Sequence, residues 1–193
     1  APSPLNLERF RTWIDAVEKA CAGRLEIEYL GGPELLSPWE QLDYCSKGTI
    51  DITNTCPMYY SSDLPEFDAI HLLDFEAQKA EWMRASGWLD IYNEACATRK
   101  NVMTLNFSCP NHHTFLASTQ PIYSADWSGL KIRIAGPLGG SWLKLTGATP
   151  MTMVASEVLE ALGRGILDAN FRPFTDLQRN KEYEYTDYLI GPP

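Results

Sequence analysis

Arg133 stands inside Leu130-Lys-Ile-Arg-Ile134, a short run of strand-forming character. A guanidinium in such a place is expensive to bury without an anion, and its planar fork matches a carboxylate in a two-pronged contact. The chemistry this suggests is capture of an organic acid. A second group follows Asp168, where Asn170, Phe171 and Arg172 are consecutive. Arg172 offers a second guanidinium to a dicarboxylate or a phenolic group, or is an ordinary loop arginine. Phe171 stacks on a ligand ring or serves as a core aromatic. Tyr59 and Tyr60 are candidates for the wall of a cleft and for hydroxyl hydrogen bonds. A two-residue alternation favours Tyr60, on the face of Met58. His112 and His113 are able to hydrogen-bond a carboxylate, or belong to a turn begun by Pro110-Asn111. The candidate ligand set is therefore Arg133, Arg172, Phe171, Asn170, Tyr60 and His113, with no catalytic residue and no cofactor.

An enzyme is the rival class. Cys109 lies three positions before His112, and a thiol nucleophile with an imidazole base can be drawn from them. No nucleophile elbow accompanies the pair, and G-x-G-x-x-G, P-loop and H-E-x-x-H patterns are absent from the sequence. A carboxylate-sensing binding module is a third reading.

Composition narrows the classes. The 193 residues are 45% hydrophobic, enough for a sizeable core in one large domain or two small ones. A formal charge of −9 and a pI near 4.8 lack the basic footprint of a nucleic-acid partner. An acidic chain that binds an anion needs a local positive site set against its own field, which one or two buried arginines supply. No apolar run is long enough to span a bilayer, so direct membrane insertion is not expected. No leader pattern opens the chain, and the expectation is of a signal peptide already removed. The five cysteines form no C-x-x-C pair, and each reads as a small hydrophobe.

These groups need elements to position them. Phe10, Trp13, Ile14, Val17 and Cys21 recur at helical spacing, which predicts an amphipathic helix over residues 5–21. Residues 24–30 alternate as a half-buried strand. Ser37-Pro38 opens a short helix that stops at Gly48, and Thr49-Ile-Asp-Ile-Thr53 restarts as a strand. Glu76 to Arg99 reads as a longer helix interrupted near Gly87, followed by strands at 101–107 and 114–118. The first pattern returns: a strand at 130–134, a break at Gly139-Gly140, helical segments, and a strand restarting at Gly165-Ile-Leu-Asp168. Such alternation predicts two similar α/β lobes, with ligands at the carboxyl ends of strands between them.

Two stretches carry a family resemblance: Gly129-Leu-Lys-Ile-Arg133-Ile-Ala-Gly136, and Glu157-Val-Leu-Glu-Ala-Leu162 with Gly165-Ile-Leu-Asp168. Val17-Glu18, Gly23-Arg-Leu-Glu-Ile27 and Gly48-Thr-Ile-Asp51 precede them in the expected order. Together they resemble the solute-binding proteins of TRAP transporters. Gly31-Gly-Pro-Glu34 and Tyr59-Tyr60 look most similar to the branch that binds 2-oxo or 2-hydroxy acids. The resemblance implies an α/β fold of the two-lobed periplasmic binding protein type (type II-like), incomplete here at both ends. It implies lobe I over residues 1–112, the first half of lobe II over 113–180, and a return segment over 181–193. It also implies a periplasmic, non-enzymatic protein that delivers a small-molecule carboxylate to TRAP membrane permease subunits. Arg133 matches the family arginine that pairs with the ligand carboxylate. Where the oxo-acid branch has a metal-binding Glu, this chain has Phe171, which offers no oxygen donor, so no metal is expected.

Overall fold

The predicted amphipathic stretch forms α1 (Pro4–Ala20). Ile14 is buried, Phe10 stacks on Trp13 at 5.5 Å between centroids, and Tyr29 meets Phe10 edge-on at 5.7 Å. Glu18, from the Val17-Glu18 motif, accepts the Ile27 backbone N–H at 2.7 Å and ties the segment after the helix back to it. The structure, a computed structural model, describes residues 4–69, 80–105 and 114–191.

Up to residue 105 the regular elements of the described chain are helical: α2 (Gln41–Ser46), a 3-10 turn at Pro57–Tyr60, α3 (Glu66–Ala69), α4 (Ala80–Ala85) and α5 (Trp88–Lys100). The expected interruption at Gly87 is real. This residue has φ +76°, a left-handed conformation open to glycine, and it separates α4 from α5. The helices close on Leu42, Tyr60, Leu64, Phe67, Tyr92 and Cys96. Tyr92 is sandwiched between Phe67 at 4.5 Å and Trp88 at 4.8 Å. Burial of each large apolar side chain here is worth about 1.5–3 kcal/mol.

The strands expected at residues 24–30, 49–53 and 101–105 do not form. Among the described residues no strand precedes Thr114, and 106–107 lie outside them. A strand needs a neighbour for its N–H and C=O groups, and alternation alone does not provide one. Leu25, Leu30, Ile52, Met103 and Leu105 are accordingly exposed.

The later chain builds a five-stranded sheet. Its elements are β1 (Thr114–Ser118), β2 (Lys131–Ile134), α6 (Pro137–Leu145), β3 (Thr149–Thr152), α7 (Val158–Gly163), β4 (Ala169–Pro173), α8 (Phe174–Arg179) and β5 (Tyr188–Ile190). The spatial order is β3-β2-β4-β1-β5, with β2 parallel to β3 and β4, and β1 antiparallel to β4 and β5. Parallel neighbours require crossovers, which α6 and α7 supply on opposite faces.

Register decides what each face carries. Ile132, paired with Ala169, lies in the cluster of Leu116, Leu143 and Ala148 beneath α6. Arg133, paired with Met151 on β3 and Asn170 on β4, points to the other face. There α7 packs Val158, Ala161 and Leu162 against Leu167, Met151 and Met153. Gly139 and Gly140 do not break the chain after β2, as expected from sequence, but lie within α6. A Cβ on Gly139 would stand 2.5 Å from Ile134 Cγ1, so the missing side chain lets the helix settle on the strand. Asp168 has a plain structural role: its carboxylate accepts the Lys131 N–H at 2.7 Å and its backbone N–H donates to Lys131 O at 2.9 Å, fixing where β2 starts beside β4.

Candidate functional site

The α7 face of the sheet brings Arg133, Asn170 and Arg172 together. Arg133 follows from strand alternation on β2, and Asn170 and Arg172 from the two-residue repeat of β4. All three are at least nine-tenths buried. Arg133 donates from Nε at 3.1 Å and from Nη2 at 3.0 Å to one carbonyl oxygen, that of Met153. Among the described residues no carboxylate lies within ion-pair distance of this guanidinium. Burial holds it below the usual arginine range, and the positive charge of Arg172 acts in the same direction. Tyr59, Cys56 and Glu182 pull the other way.

Arg172 is differently placed. Its Nε donates to Glu182 Oε1 at 2.7 Å and its Nη2 to Ala155 O at 2.9 Å. Glu182, from a 3-10 turn at Glu182–Glu184, is fully buried, and its other oxygen accepts Asn170 Nδ2 at 2.8 Å. Asn170 Oδ1 is buried with no hydrogen-bond partner among the described residues. A buried side-chain carboxylate thus already holds the second arginine, in place of the expected dicarboxylate or phenolic ligand.

Two more expectations change. Phe171 alternates onto the opposite face, packed against Trp142 at 5.8 Å and Trp127 at 6.3 Å, and takes the core role rather than the cleft role. Tyr60 is a core tyrosine of the helical part. Its hydroxyl donates to Pro38 O and accepts the Leu42 N–H at 3.3 Å, and burial pushes its phenol up. His113, with His112 and Cys109, lies outside the described residues.

Tyr59 reaches the turn that follows β3 instead. Its hydroxyl accepts the Ala155 backbone N–H at 3.1 Å, two residues beyond the carbonyl that holds Arg133, while its ring packs on Trp39 at 4.6 Å. Nothing in the sequence separates the two tyrosines except position in a tight turn. In a 3-10 turn neighbouring side chains diverge by about a third of a revolution, so the strand-like alternation used to choose Tyr60 fails there.

A second junction lies beside this one. Asp68 Oδ2 accepts the Leu138 N–H at 3.2 Å, in the first turn of α6, and Asp68 Oδ1 accepts the Ser61 hydroxyl at 2.7 Å. Gly136, the N-cap of α6, comes so near that a Cβ would stand 2.6 Å from Asp68 Oδ1. A shallow concavity of about 260 Å³ also lies between β1 and β2, lined by Gln120 to Ser124 and by Asp126 to Ser128 with Leu130. It holds no cationic side chain. The arrangement around Arg133 is therefore the one suited to an anion: a buried, fork-shaped cation beside a tyrosine, at the seam between the helical part and the sheet.

Comparison with known proteins agrees with this fold. The family model described as bacterial extracellular solute-binding protein, family 7 (DctP) matches residues 2–192, and the chain belongs to that family. Among solved structures it is similar to DctP6, a Bordetella pertussis extracytoplasmic solute receptor binding pyroglutamic acid, with a TM-score of 0.83 and 18% identity over 98% of this chain and 63% of that one. It is similar to a TRAP periplasmic solute-binding protein from Desulfovibrio salexigens with bound orotic acid, with a TM-score of 0.81 and 21% identity over 99% of this chain and 64% of that one. A marine metagenome TRAP solute-binding protein specific for aromatic acid ligands, in complex with metahydroxyphenylacetate, gives a TM-score of 0.76 and 24% identity over 97% and 59%. A curated relative, the uncharacterized protein YiiZ of Salmonella typhimurium strain LT2, is 27% identical over 158 residues, 79% of this chain and 48% of that protein. The chain thus spans about half the length of this relative and under two thirds of the solved ones. The fold class is the α/β fold of the two-lobed TRAP binding proteins.

Proposed function

We propose that this chain serves as the extracytoplasmic receptor of a TRAP transporter, capturing an organic acid at Arg133 and delivering it to membrane permease subunits. The observation that carries the reading is the buried guanidinium that lacks a carboxylate partner among the described residues and is aimed by two bonds to Met153 O. Family membership supports the receptor role over the enzymatic one. In this reading the helical part is most of lobe I, the sheet belongs to lobe II, and the seam at Tyr59 and Ala155 is the ligand cleft. Nε and Nη2 are anchored, which leaves the Nη1 edge and the remaining proton of Nη2 to meet a carboxylate. Burial raises the worth of that contact, because water competes poorly for the charge.

The test is a thermal-shift screen against mono-, di- and aromatic carboxylates with the unchanged chain and with Arg133→Ala. A ligand that binds only the folded state raises the melting temperature by mass action. Shifts with the unchanged chain that vanish in Arg133→Ala are expected; equal shifts in both proteins would remove Arg133 from the site.

A further inference from the structure

The charges behind Arg133 define which acids fit. Arg133 pairs with Asn170 across β2 and β4, and Arg172 lies two residues beyond Asn170 on the same face; Met153 and Ala155, the latter opening a 3-10 turn, each supply a backbone carbonyl there. Arg133 is bonded to the first carbonyl and Arg172 to the second, which sets the two guanidiniums side by side on one sheet face. Each arginine is 6% exposed. Among the described residues the fully buried carboxylate beside the pair is Glu182, 2.7 Å from Arg172 Nε, with its second oxygen held by Asn170. Asp176 is 3.9 Å from Arg172 Nη1 and closer, at 3.0 Å, to Arg179 Nη1, so its charge is counted with Arg179. Among the described residues, with Asp176 counted against Arg179, two buried cations and one buried anion leave room for a single further negative charge.

Resting on the carboxylate reading above, we infer that Glu182 is a specificity-determining residue that neutralises Arg172 and restricts the site to acids bearing one carboxylate. The physical reason is symmetrical. A first carboxylate completes the balance at Arg133. A second one would have to approach Arg172 with Glu182 Oε1 already on its Nε, so it would meet a like charge in a poorly screened setting and surrender its hydration without a cation in return. Asn170 sharpens this by holding Glu182 in place. The carboxylate is bonded through both oxygens and cannot swing aside to admit a competitor.

The experiment is calorimetric titration of the full chain with acids matched in skeleton and differing by one carboxylate, butyrate with succinate and benzoate with isophthalate, within a wider panel of such pairs. The unchanged chain is expected to bind the monocarboxylate of a pair at least about tenfold more tightly. Glu182→Gln keeps a hydrogen-bond acceptor but frees the Arg172 charge, and is expected to shift the preference toward the dicarboxylate by about tenfold or more. The double variant Arg172→Gln, Glu182→Gln removes both charges together and is expected to keep the monocarboxylate preference, which tests the charge count even if the single variant fails to fold. Dicarboxylates that bind the unchanged chain as tightly as their partners overturn the inference and leave the receptor reading standing. So does a folded Glu182→Gln with unaltered preference, or a double variant that loses it. If neither member of any pair binds, the carboxylate reading falls and this inference falls with it.

Discussion

Arg133 and Met153 are joined by two hydrogen bonds to one oxygen, from Nε at 3.1 Å and from Nη2 at 3.0 Å. A guanidinium held in this way by a backbone carbonyl is oriented without being neutralised. It is aimed, yet among the described residues no carboxylate pairs with it.

The first prediction concerns this trade between stability and binding. Arg133→Ala should weaken carboxylate binding by about 2–5 kcal/mol, and Arg133→Lys should recover little because the fork is lost. Arg133→Met, by contrast, removes a buried charge while keeping much of the volume, and should leave the ligand-free protein at least as stable. Calorimetry and denaturant melts of the three variants check it; tight binding by the lysine variant would contradict the fork geometry.

The two adjacent tyrosines should separate cleanly. Tyr60→Phe strips the Leu42 N–H and Pro38 O of their buried partner and should cost about 1–3 kcal/mol of stability with ligand affinity little changed. Tyr59→Phe breaks the bond from Ala155 and should act mainly on affinity, because it loosens the seam beside Arg133. Paired denaturation and titration data decide, and a reversed pattern would move the cleft to Tyr60.

Asp68 should behave as a clasp between the helical part and the sheet. Asp68→Ala deprives the Leu138 N–H and the Ser61 hydroxyl of their acceptor and removes a negative charge from the positive end of α6. A loss of about 1–2 kcal/mol is expected. Hydrogen exchange at the Leu138 amide should speed up; an unchanged rate there would count against the clasp.

Close packing of α6 on β2 should be sensitive to one added methyl. Gly139→Ala places a carbon 2.5 Å from Ile134 Cγ1 and 2.9 Å from its Cδ1, so about 1–3 kcal/mol of overpacking is expected. In an Ile134→Ala background the same change should cost much less. Additive losses in that double-mutant cycle would show that the two residues do not touch.

Alkaline solution should weaken the fold. Burial pushes the Cys45 and Cys96 thiols above their ordinary 9.0 and the Tyr60 and Tyr92 phenols above 10.0. Lys100 is raised above 10.5 by its hydrogen bonds to Asp63 and Asp43. The folded state holds all these protons more tightly than the unfolded chain does, so their contribution is complete below the unfolded values and is lost as pH climbs past them toward the folded ones. Urea melts should therefore show stability falling from about pH 9 upward. A flat profile between about pH 8 and 11 would contradict the assignment.

Local signals in the chain decide structure where they act over a few residues. Gly87 separates two helices because its left-handed φ is a property of the residue, and the apolar stripe from Phe10 to Val17 forms a helix because spacing alone aligns it. Strands at Thr114–Ser118 and Lys131–Ile134 were also legible, since β-forming residues there find partners in the sheet. The strands expected before residue 105 failed on that same condition. Alternation states which side of a strand would be apolar, not whether a neighbour exists.

The site divides along the same line. Sequence alone determined that a cation stands within an apolar strand and that an anion is the natural response to it, because the cost of burying charge is a property of the residue and its immediate neighbours. Only the tertiary structure decided that Arg172 is held by Glu182, that Phe171 turns to the far face, and that Tyr59 rather than Tyr60 reaches Ala155. Those outcomes depend on sheet register and on contacts between elements remote in the chain, where a shift of one residue exchanges every side chain between the two faces.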